Sequence, residues 1–341
     1  MKALKKVKFF IRRSDRIADK VAEKAAEVLI ENKLEVFVEP HAAFKKGFSH
    51  FSTIPNQDAD IAVVFGGDGS MLRAVSELGS NQKPIIGVST GHRGYLMQSS
   101  VNGMEGDLAA LAAREFEVTR KTRLVGSIAG ETLPAALNEY TIVANKPVSL
   151  LRYSLFLGSN RLWDEEADGV IIATPTGSTG YAESSGGVSL YNDPEVLEIV
   201  PLSPVDKRAR PIVVKDSEVV SVKNILSPGH QVVIDGITRV RTHSKEVIVR
   251  KSRHPALFVK LRPRVAGDSS TKQGLPPSAR LVVKVLESQG NLTHKDLEKE
   301  TGLPGRTLRD TLGKLISKDV IGKKVFVSDP RQNTYFLRRK K

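Results

Sequence analysis

The run IAVVFGGDGSMLRAV at residues 61–75 constrains this chain more than any other stretch. An apolar segment ends in Gly66, Gly67, Asp68 and Gly69, and a helix-like pattern starts at once. Three glycines around one carboxylate lose much backbone entropy on folding, so something must need that backbone close. A strand, a glycine-rich turn and a helix N-terminus together make an anion site, because free N–H groups and the positive end of the helix dipole converge there. Gly66, Gly67 and Gly69 let phosphate oxygens approach the main chain. Neither GxxxxGK(S/T) nor GxGxxG lies nearby, which excludes a P-loop and a dinucleotide fingerprint. Asp68, itself negative, reads as a base for an attacking hydroxyl or as the partner of a phosphate-bound Mg²⁺. A plain strand-to-helix turn with Asp68 as N-cap is the competing reading.

Around that turn the first 117 residues alternate strand-like and helix-like runs, the pattern of a parallel sheet. KVKFFI and LEVFVEP read as strands. SDRIADKVAEKAAEVLIENK reads as a helix with Ser14 or Asp15 as N-cap and Ile17, Val21, Ala25, Val28 and Leu29 on its buried face. The helix after the glycine turn is expected from Ser70 to Leu78, and KPIIGVST is a further buried strand. In a Rossmann-like order ligands collect at the carboxyl ends of strands, where the GGDG loop lies. From residue 118 the texture changes to short β-rich runs such as ALNEYTIVA, YSLFLG, GVIIATP, HQVVIDG and KEVIVRK, the spacing of an all-β layer. The expected domains are 1–117, α/β and nucleotide-binding, and 118–262, β-rich, with its last segment packing back on the first. A Gly/Ser/Pro linker at 263–277 and a small α+β unit at 278–341 follow.

Composition narrows the classes. With 40% apolar and 26% charged residues the chain reads as a soluble globular protein. No run approaches the ~20 apolar residues of a membrane span, and MKALKKVKFFIRRSD is interrupted by arginines too early for a signal-peptide core. The cytoplasm is the expected compartment. Zero cysteines exclude disulfides and thiolate chemistry, and seven scattered histidines form no zinc motif. The net charge of +14 is concentrated. Residues 265–341 hold 16 Lys and Arg against 8 Asp and Glu, while the first 264 residues hold 36 against 30.

Two further stretches carry chemistry. DGVIIATPTGSTGYAESSGG, residues 168–187, leads a buried strand into Thr174, Thr176, Ser178, Thr179, Tyr181 and Ser184, interleaved with glycines. Its hydroxyls, main-chain amides and one aromatic ring suit a ribose or a base. In ALNEYTIV, Asn138 and Glu139 interrupt an apolar run. On a strand one of them faces in and one out, so a surface Glu beside a turn Asn is the plainer reading.

In order along the chain stand GGDG at 66–69, NE at 138–139, DG at 168–169, TPTGSTGY at 174–181, SSGG at 184–187 and VVIDG at 232–236. Together they resemble the NAD kinase family over residues 1–260; GGDG alone would also fit diacylglycerol, sphingosine and phosphofructokinase relatives. The resemblance implies an α/β nucleotide-binding domain joined to a β-sandwich. It implies an enzyme that uses ATP and a divalent cation, Mg²⁺, to phosphorylate the 2′-hydroxyl of NAD's adenosine ribose. Asp68 is then the proton acceptor, with Gly66, Gly67 and Gly69 against the nucleotide and Arg73, one helical turn on, as a phosphate contact. Asn138 and Glu139 bind the ribose and adenine region of the dinucleotide, and Asp168 holds the other nucleoside end. Thr179, Gly180, Tyr181 and Ser184 line the adenine pocket, and Thr176 is a further nucleotide contact. A homodimer or homotetramer is implied, with partner subunits completing the site. The chain departs from the family pattern at Ser70, where threonine follows GGDG, and at Gly180, an alanine in the usual TPTGSTAY. Val205 stands for the usual histidine and Ile237 for a glutamine.

Residues 278–341 lie beyond that core. SARLVVKVLES reads as a helix, and Thr293 with Asp296 is close to a capping box. Pro304 sits at an N1-like position of a helix with Leu308, Leu312 and Leu315 on one face, and two strands follow around a DPRQN turn. This order resembles a winged helix-turn-helix, with 304–317 as recognition helix and 325–337 as wing. Arg306, Arg309 and Lys314 then face outward and Arg331 sits at the wing tip, as in major-groove entry. Protein docking is the alternative role for such a unit. For the whole chain the alternatives are an NAD(P)-sensing transcription regulator and a GGDG kinase acting on a lipid or sugar hydroxyl.

Overall fold

Four apolar runs, Lys6–Ile11, Glu35–Val38, Ile61–Gly66 and Pro84–Ser89, lie parallel in one sheet, in the spatial order 35–38, 6–11, 61–66, 84–89. The computed structural model describes residues 4–91, 94–145, 149–206, 208–262, 275–290, 292–318, 320–326 and 329–337. Successive connections run to opposite sides of Lys6–Ile11, so the order reverses between it and Ile61–Gly66. Such a reversal is the topological switch point of an open α/β sheet, where its ligand crevice lies. The GGDG loop leaves Ile61–Gly66 at that point. A late strand, Ala256–Leu261, joins the same sheet, parallel to Pro84–Ser89 and antiparallel to Phe116–Lys121.

Local sequence sets the helices of this layer. Asp15 caps Arg16–Glu31, its carboxylate accepting the amides of Ile17 (2.9 Å) and Ala18 (3.1 Å). The buried series is Ala18, Val21, Ala22, Ala25, Ala26 and Leu29. Ile17, expected on that face, is 58% exposed, because the sheet-facing stripe starts one residue later at Ala18. The helix after the glycine turn spans Asp68–Leu78, two residues longer than expected, because Gly67 takes the N-cap position.

Two six-stranded antiparallel sheets follow. One has the order 160–167, 151–157, 220–226, 246–251, 124–128, 131–132; the other 212–215, 196–202, 169–173, 139–144, 230–234, 238–242. Side chains of both, among them Tyr140, Ile142, Tyr153, Leu155, Val222 and Val249, close over one apolar core. The alternation that predicts a half-buried sheet is clear in Leu124–Ile128 and His230–Ile234.

The chain divides into two compact units, residues 1–101 with 107–261, and residues 102–106 with 262–341. In the second, helices Pro277–Gln289, His294–Thr301 and Gly305–Ser317 accompany a sheet of the order 292–293, 329–337, 321–326. Leu286, Leu297, Leu308, Leu312, Leu315 and Ile321 share its core. Thr293 and Asp296 form a full capping box. Pro304 is the N-cap rather than the first helical residue. The expected DPRQN turn is also displaced: Asp329 already pairs with Phe326, so DPRQN belongs to the strand Asp329–Leu337. A register shift at Val325/Phe326 lets Pro330 sit where regular pairing is broken. Among the described residues no helix is long and apolar enough to cross a membrane.

Candidate functional site

Gly66 has φ +152°, and a Cβ there would lie 2.3 Å from Ser70 Oγ, so the turn admits glycine only. Asp68 opens the helix, and its carboxylate is fixed from outside it. The amide of Tyr95 donates to Oδ2 (2.9 Å) and that of Leu96 to Oδ1 (3.0 Å). Gly94 lies so close that a Cβ would stand 2.2 Å from Asp68 Oδ1. Gly67 and Gly69 have nothing within 4 Å of a Cβ position, which leaves open space over the main chain at the positive end of the helix. A carboxylate holding two amides keeps free lone pairs to accept a third donor.

Asn138 and Glu139 are held by a residue that carried no role in the sequence reading. Asp235 accepts three consecutive amides, those of Leu137 (2.8 Å), Asn138 (2.7 Å) and Glu139 (3.1 Å). Glu139 is buried, not a surface residue, and its Oε2 and Asn138 Oδ1 have no hydrogen-bond partner among the described residues. Buried polar atoms of this kind are open to a partner that the described residues do not supply. Burial, reinforced by the nearby Asp235, pushes the Glu139 carboxyl up to about 7.

The TPTGSTGY turn seats on the same backbone. Thr174 donates from its amide to Asn138 O (2.8 Å) and from its hydroxyl to Leu137 O (2.6 Å). Gly177 packs so tightly that a Cβ would meet Asn138 O at 2.3 Å. A Cβ on Gly180 would stand 3.7 Å from Asn138 Nδ2 and 3.9 Å from Glu139 Oε2, which brings Gly180 to both residues. Thr176 and Thr179 are half-buried there, while Tyr181 and Ser184 are exposed. Leu137 shares one core with Met71, Leu72, Val75 and Leu96, which joins Asn138 and Glu139 to the Asp68 helix. The buried Arg123 adds a polar tie, donating to Gly79 O (2.8 Å) at the end of that helix and to Ala135 O (3.1 Å).

Two residues lie elsewhere. Arg73 donates to both oxygens of the buried Glu39 (2.5 and 3.1 Å) and to Glu77 (2.8 Å), so its guanidinium braces the sheet. Burial opposes its charge, but Glu39 and Glu77 outweigh burial and hold its pKa above the usual value. Asp168 is exposed at the far end of the strand Gly169–Ala173. Ala173 pairs with Glu139 and Gly169 with Val143, so Asp168 stands about five strand residues, roughly 17 Å, from Asn138 and Glu139. In the second unit Arg306, Arg309 and Lys314 are exposed on Gly305–Ser317. The side chain of Arg331 lies outside the described residues.

The arrangement is that of a two-domain α/β and β-rich protein with a glycine turn open at a helix N-terminus at the switch point, a fixed carboxylate, and Asn138 and Glu139 with unpartnered buried oxygens. Residues 7–116 match the ATP-NAD kinase N-terminal domain and residues 137–261 the ATP-NAD kinase C-terminal domain. An NAD kinase of Methanocorpusculum labreanum is 32% identical over 226 residues, covering 66% of this chain and 83% of that one. An NAD kinase of Methanothermobacter thermautotrophicus is 36% identical over 211 residues, covering 61% and 74%. Among solved structures, a yeast NADH kinase complexed with NADH shares the fold, with TM-score 0.70 at 20% identity over 77% of this chain and 85% of that one. An NAD kinase from Archaeoglobus fulgidus in complex with ATP has TM-score 0.63 at 27% identity over 76% and 94%. The chain belongs to the NAD kinase family. Both matched domains end before residue 262.

Proposed function

We propose that the chain transfers the γ-phosphoryl group of ATP to the 2′-hydroxyl of NAD's adenosine ribose, giving NADP and ADP. The phosphates lie against the open main chain at Gly66, Gly67 and Gly69, where helix amides oppose their charge. Asn138 and Glu139 take the dinucleotide ribose, its hydroxyls supplying the donors that Glu139 Oε2 lacks. Thr179, Gly180, Tyr181 and Ser184 line the adenine pocket, and Thr176 is a further nucleotide contact. Asp68 accepts the 2′-hydroxyl proton as the new O–P bond forms and the bond to the ADP oxygen breaks. A divalent cation, Mg²⁺, carried by ATP completes this reading, with Asp68 within the same loop. That cation supplies charge neutralisation on the phosphoryl oxygens.

Asp168 joins a site of this kind from a second copy of the chain, in keeping with a homodimer or homotetramer. Val205 and Ile237, the two departures from the family pattern, are both exposed. The cytoplasm is the compartment that fits. Residues 275–337 we read as a winged helix-turn-helix, a module for docking DNA or a protein. The supporting feature is a three-helix core with a two-stranded hairpin, and helices joined through Gly302 in the left-handed region.

The observation that carries the kinase assignment is the Asp68 carboxylate, fixed by two amides at the head of a helix whose core also holds Leu137. The test is NADP formation from NAD, ATP and Mg²⁺ by wild type and Asp68→Asn. Turnover should fall by roughly 10²–10⁴ in the variant while NAD still binds. Equal turnover would remove Asp68 as the base. A silent wild type that still binds NAD would favour the sensor, and phosphorylation of a lipid or sugar instead would favour the other kinase class.

A further inference from the structure

We propose that the outward face of the helix Gly305–Ser317 is a docking surface for double-stranded DNA; the proposal rests on the winged-helix reading above. The helix His294–Thr301 ends at Gly302 (φ 64°), and the next helix begins three residues later. Leu308, Thr311, Leu312 and Leu315 face the core, which leaves the opposite side without a partner. Arg306, Arg309, Asp310, Gly313, Lys314 and Ser317 are exposed on that side, at spacings of three and four that form one stripe.

Charge separates the two helices. His294–Thr301 carries Lys295 and Lys299 against Asp296, Glu298 and Glu300. The second helix with its cap, Lys318, carries four cations against Asp310 alone. Arg306, Arg309 and Lys314 are exposed, with Arg309 Nε donating to Gly305 O (3.2 Å), and Asp310 is the single carboxylate that shares their stripe. An α-helix of about 10–12 Å diameter fits the ~12 Å major groove, and phosphates line both lips of that groove.

Two features favour DNA over a protein. Protein interfaces centre on apolar and aromatic anchors. Among the described residues of this unit the one large exposed apolar side chain is Leu281, which belongs to another helix. Gly313, in the helix interior with nothing within 4 Å, has no packing role, and glycine weakens a helix there relative to alanine. Its missing side chain lets the helix backbone approach a groove floor. The hairpin adds to the same sign: Lys323 is exposed, and the sequence places Lys324 and Arg331 in its strands.

The test uses the full chain and a fluorescent pool of random-sequence 30-base-pair duplexes, read by anisotropy from 50 to 200 mM salt. Each phosphate contact contributes about 0.9 to the salt slope, so three contacts steepen the fall across this range by about 40-fold. Arg306→Ala/Arg309→Ala/Lys314→Ala should weaken binding at least tenfold at 50 mM and reduce the slope by about 2.7. A charge-matched variant in the first unit, Arg16→Ala/Lys20→Ala/Lys215→Ala, should behave as wild type. Equal loss in both variants reduces the effect to net charge and overturns the proposal, as does wild-type binding in the helix variant. Amide exchange on the same sample separates the two levels. Protected amides at 308–315 with no duplex retention overturn DNA docking and leave the winged helix with a protein partner. Unprotected amides there overturn both.

Discussion

Asp235→Asn tests whether three main-chain bonds hold Asn138 and Glu139 in place. The side chain is 7% exposed, with Leu137 N–H on Oδ2 and the amides of Asn138 and Glu139 on Oδ1. Asparagine has the same shape but one acceptor oxygen. With that oxygen kept on Asn138 and Glu139, its NH2 opposes the Leu137 N–H, leaving a buried donor unsatisfied at about 1–3 kcal/mol. The two surviving bonds lose charge assistance, about 1 kcal/mol each. Relief of the like charge beside Glu139 offsets part of this, for a net loss of about 2–4 kcal/mol. At about 2–4 °C per kcal/mol for a unit of this size, the melting transition should fall by roughly 4–16 °C. The same change loosens Asn138 and Glu139, so KM for NAD should rise about tenfold or more while KM for ATP holds, since the Asp68 loop is untouched. Thermal unfolding followed by circular dichroism and steady-state kinetics read the two effects. A shift under about 2 °C with both KM values unchanged would refute the clamp.

Two further outcomes follow from charge placement. Glu139 is held near 7 against an ordinary 4.5, so its contribution is a penalty that is absent below 4.5, grows as pH rises towards 7 and is full above that. Glu139→Gln should therefore gain on wild type through that window, by about 3 kcal/mol at its end, measured by urea unfolding at pH 4.5 and 8; a pH-independent difference would contradict the buried-acid assignment. Arg73→Met should cost about 3–5 kcal/mol, because it leaves the buried Glu39 without its ion-pair partner, with the Ile11 amide (2.8 Å), a histidine and the charge of Lys8 nearby. Arg73→Met/Glu39→Leu should recover most of that loss, and failure to recover would mean that Arg73 acts on something other than Glu39.

What the sequence made legible was local. Gly66, Asp68 and the helix behind them announce themselves because strand, turn and helix are contiguous, and the physics of a helix N-terminus needs no distant residue. The capping box of Thr293 and Asp296 was legible for the same reason. What holds Asp68 was not: the amides of Tyr95 and Leu96 arrive from 27 and 28 residues away, and an amide has no side chain to mark it. The partners of Arg73 were not legible either. One turn from Asp68 it lies on the correct helix for a phosphate, but Glu39 is brought beside it by a strand pairing that no local pattern encodes. Asp168 depends on register in the same way, since Ala173 opposite Glu139 puts the far end of the strand, with Asp168, away from Asn138 and Glu139 of the same chain.

Asp235 joins these cases into one physical account. It closes the strand His230–Ile234 in a left-handed conformation (φ 51°), next to Gly236 (φ 69°), and Ile234 pairs with Tyr140. That register delivers its carboxylate to the three amides ahead of Tyr140, and those amides fix where Asn138 and Glu139 point. The Asp68 helix is set by a different mechanism, through Leu137 in its apolar core and Arg123 reaching from Gly79 O to Ala135 O. Donor side and acceptor side are thus aligned through residues 135–139, five residues read by both domains. Phosphoryl transfer depends chiefly on holding two oxygens in line with one phosphorus, so a shift in this segment would cost rate without touching Asp68. That is why the buried, chemically silent Arg123 and Asp235 belong to the proposed site as much as Asp68, the base proposed above.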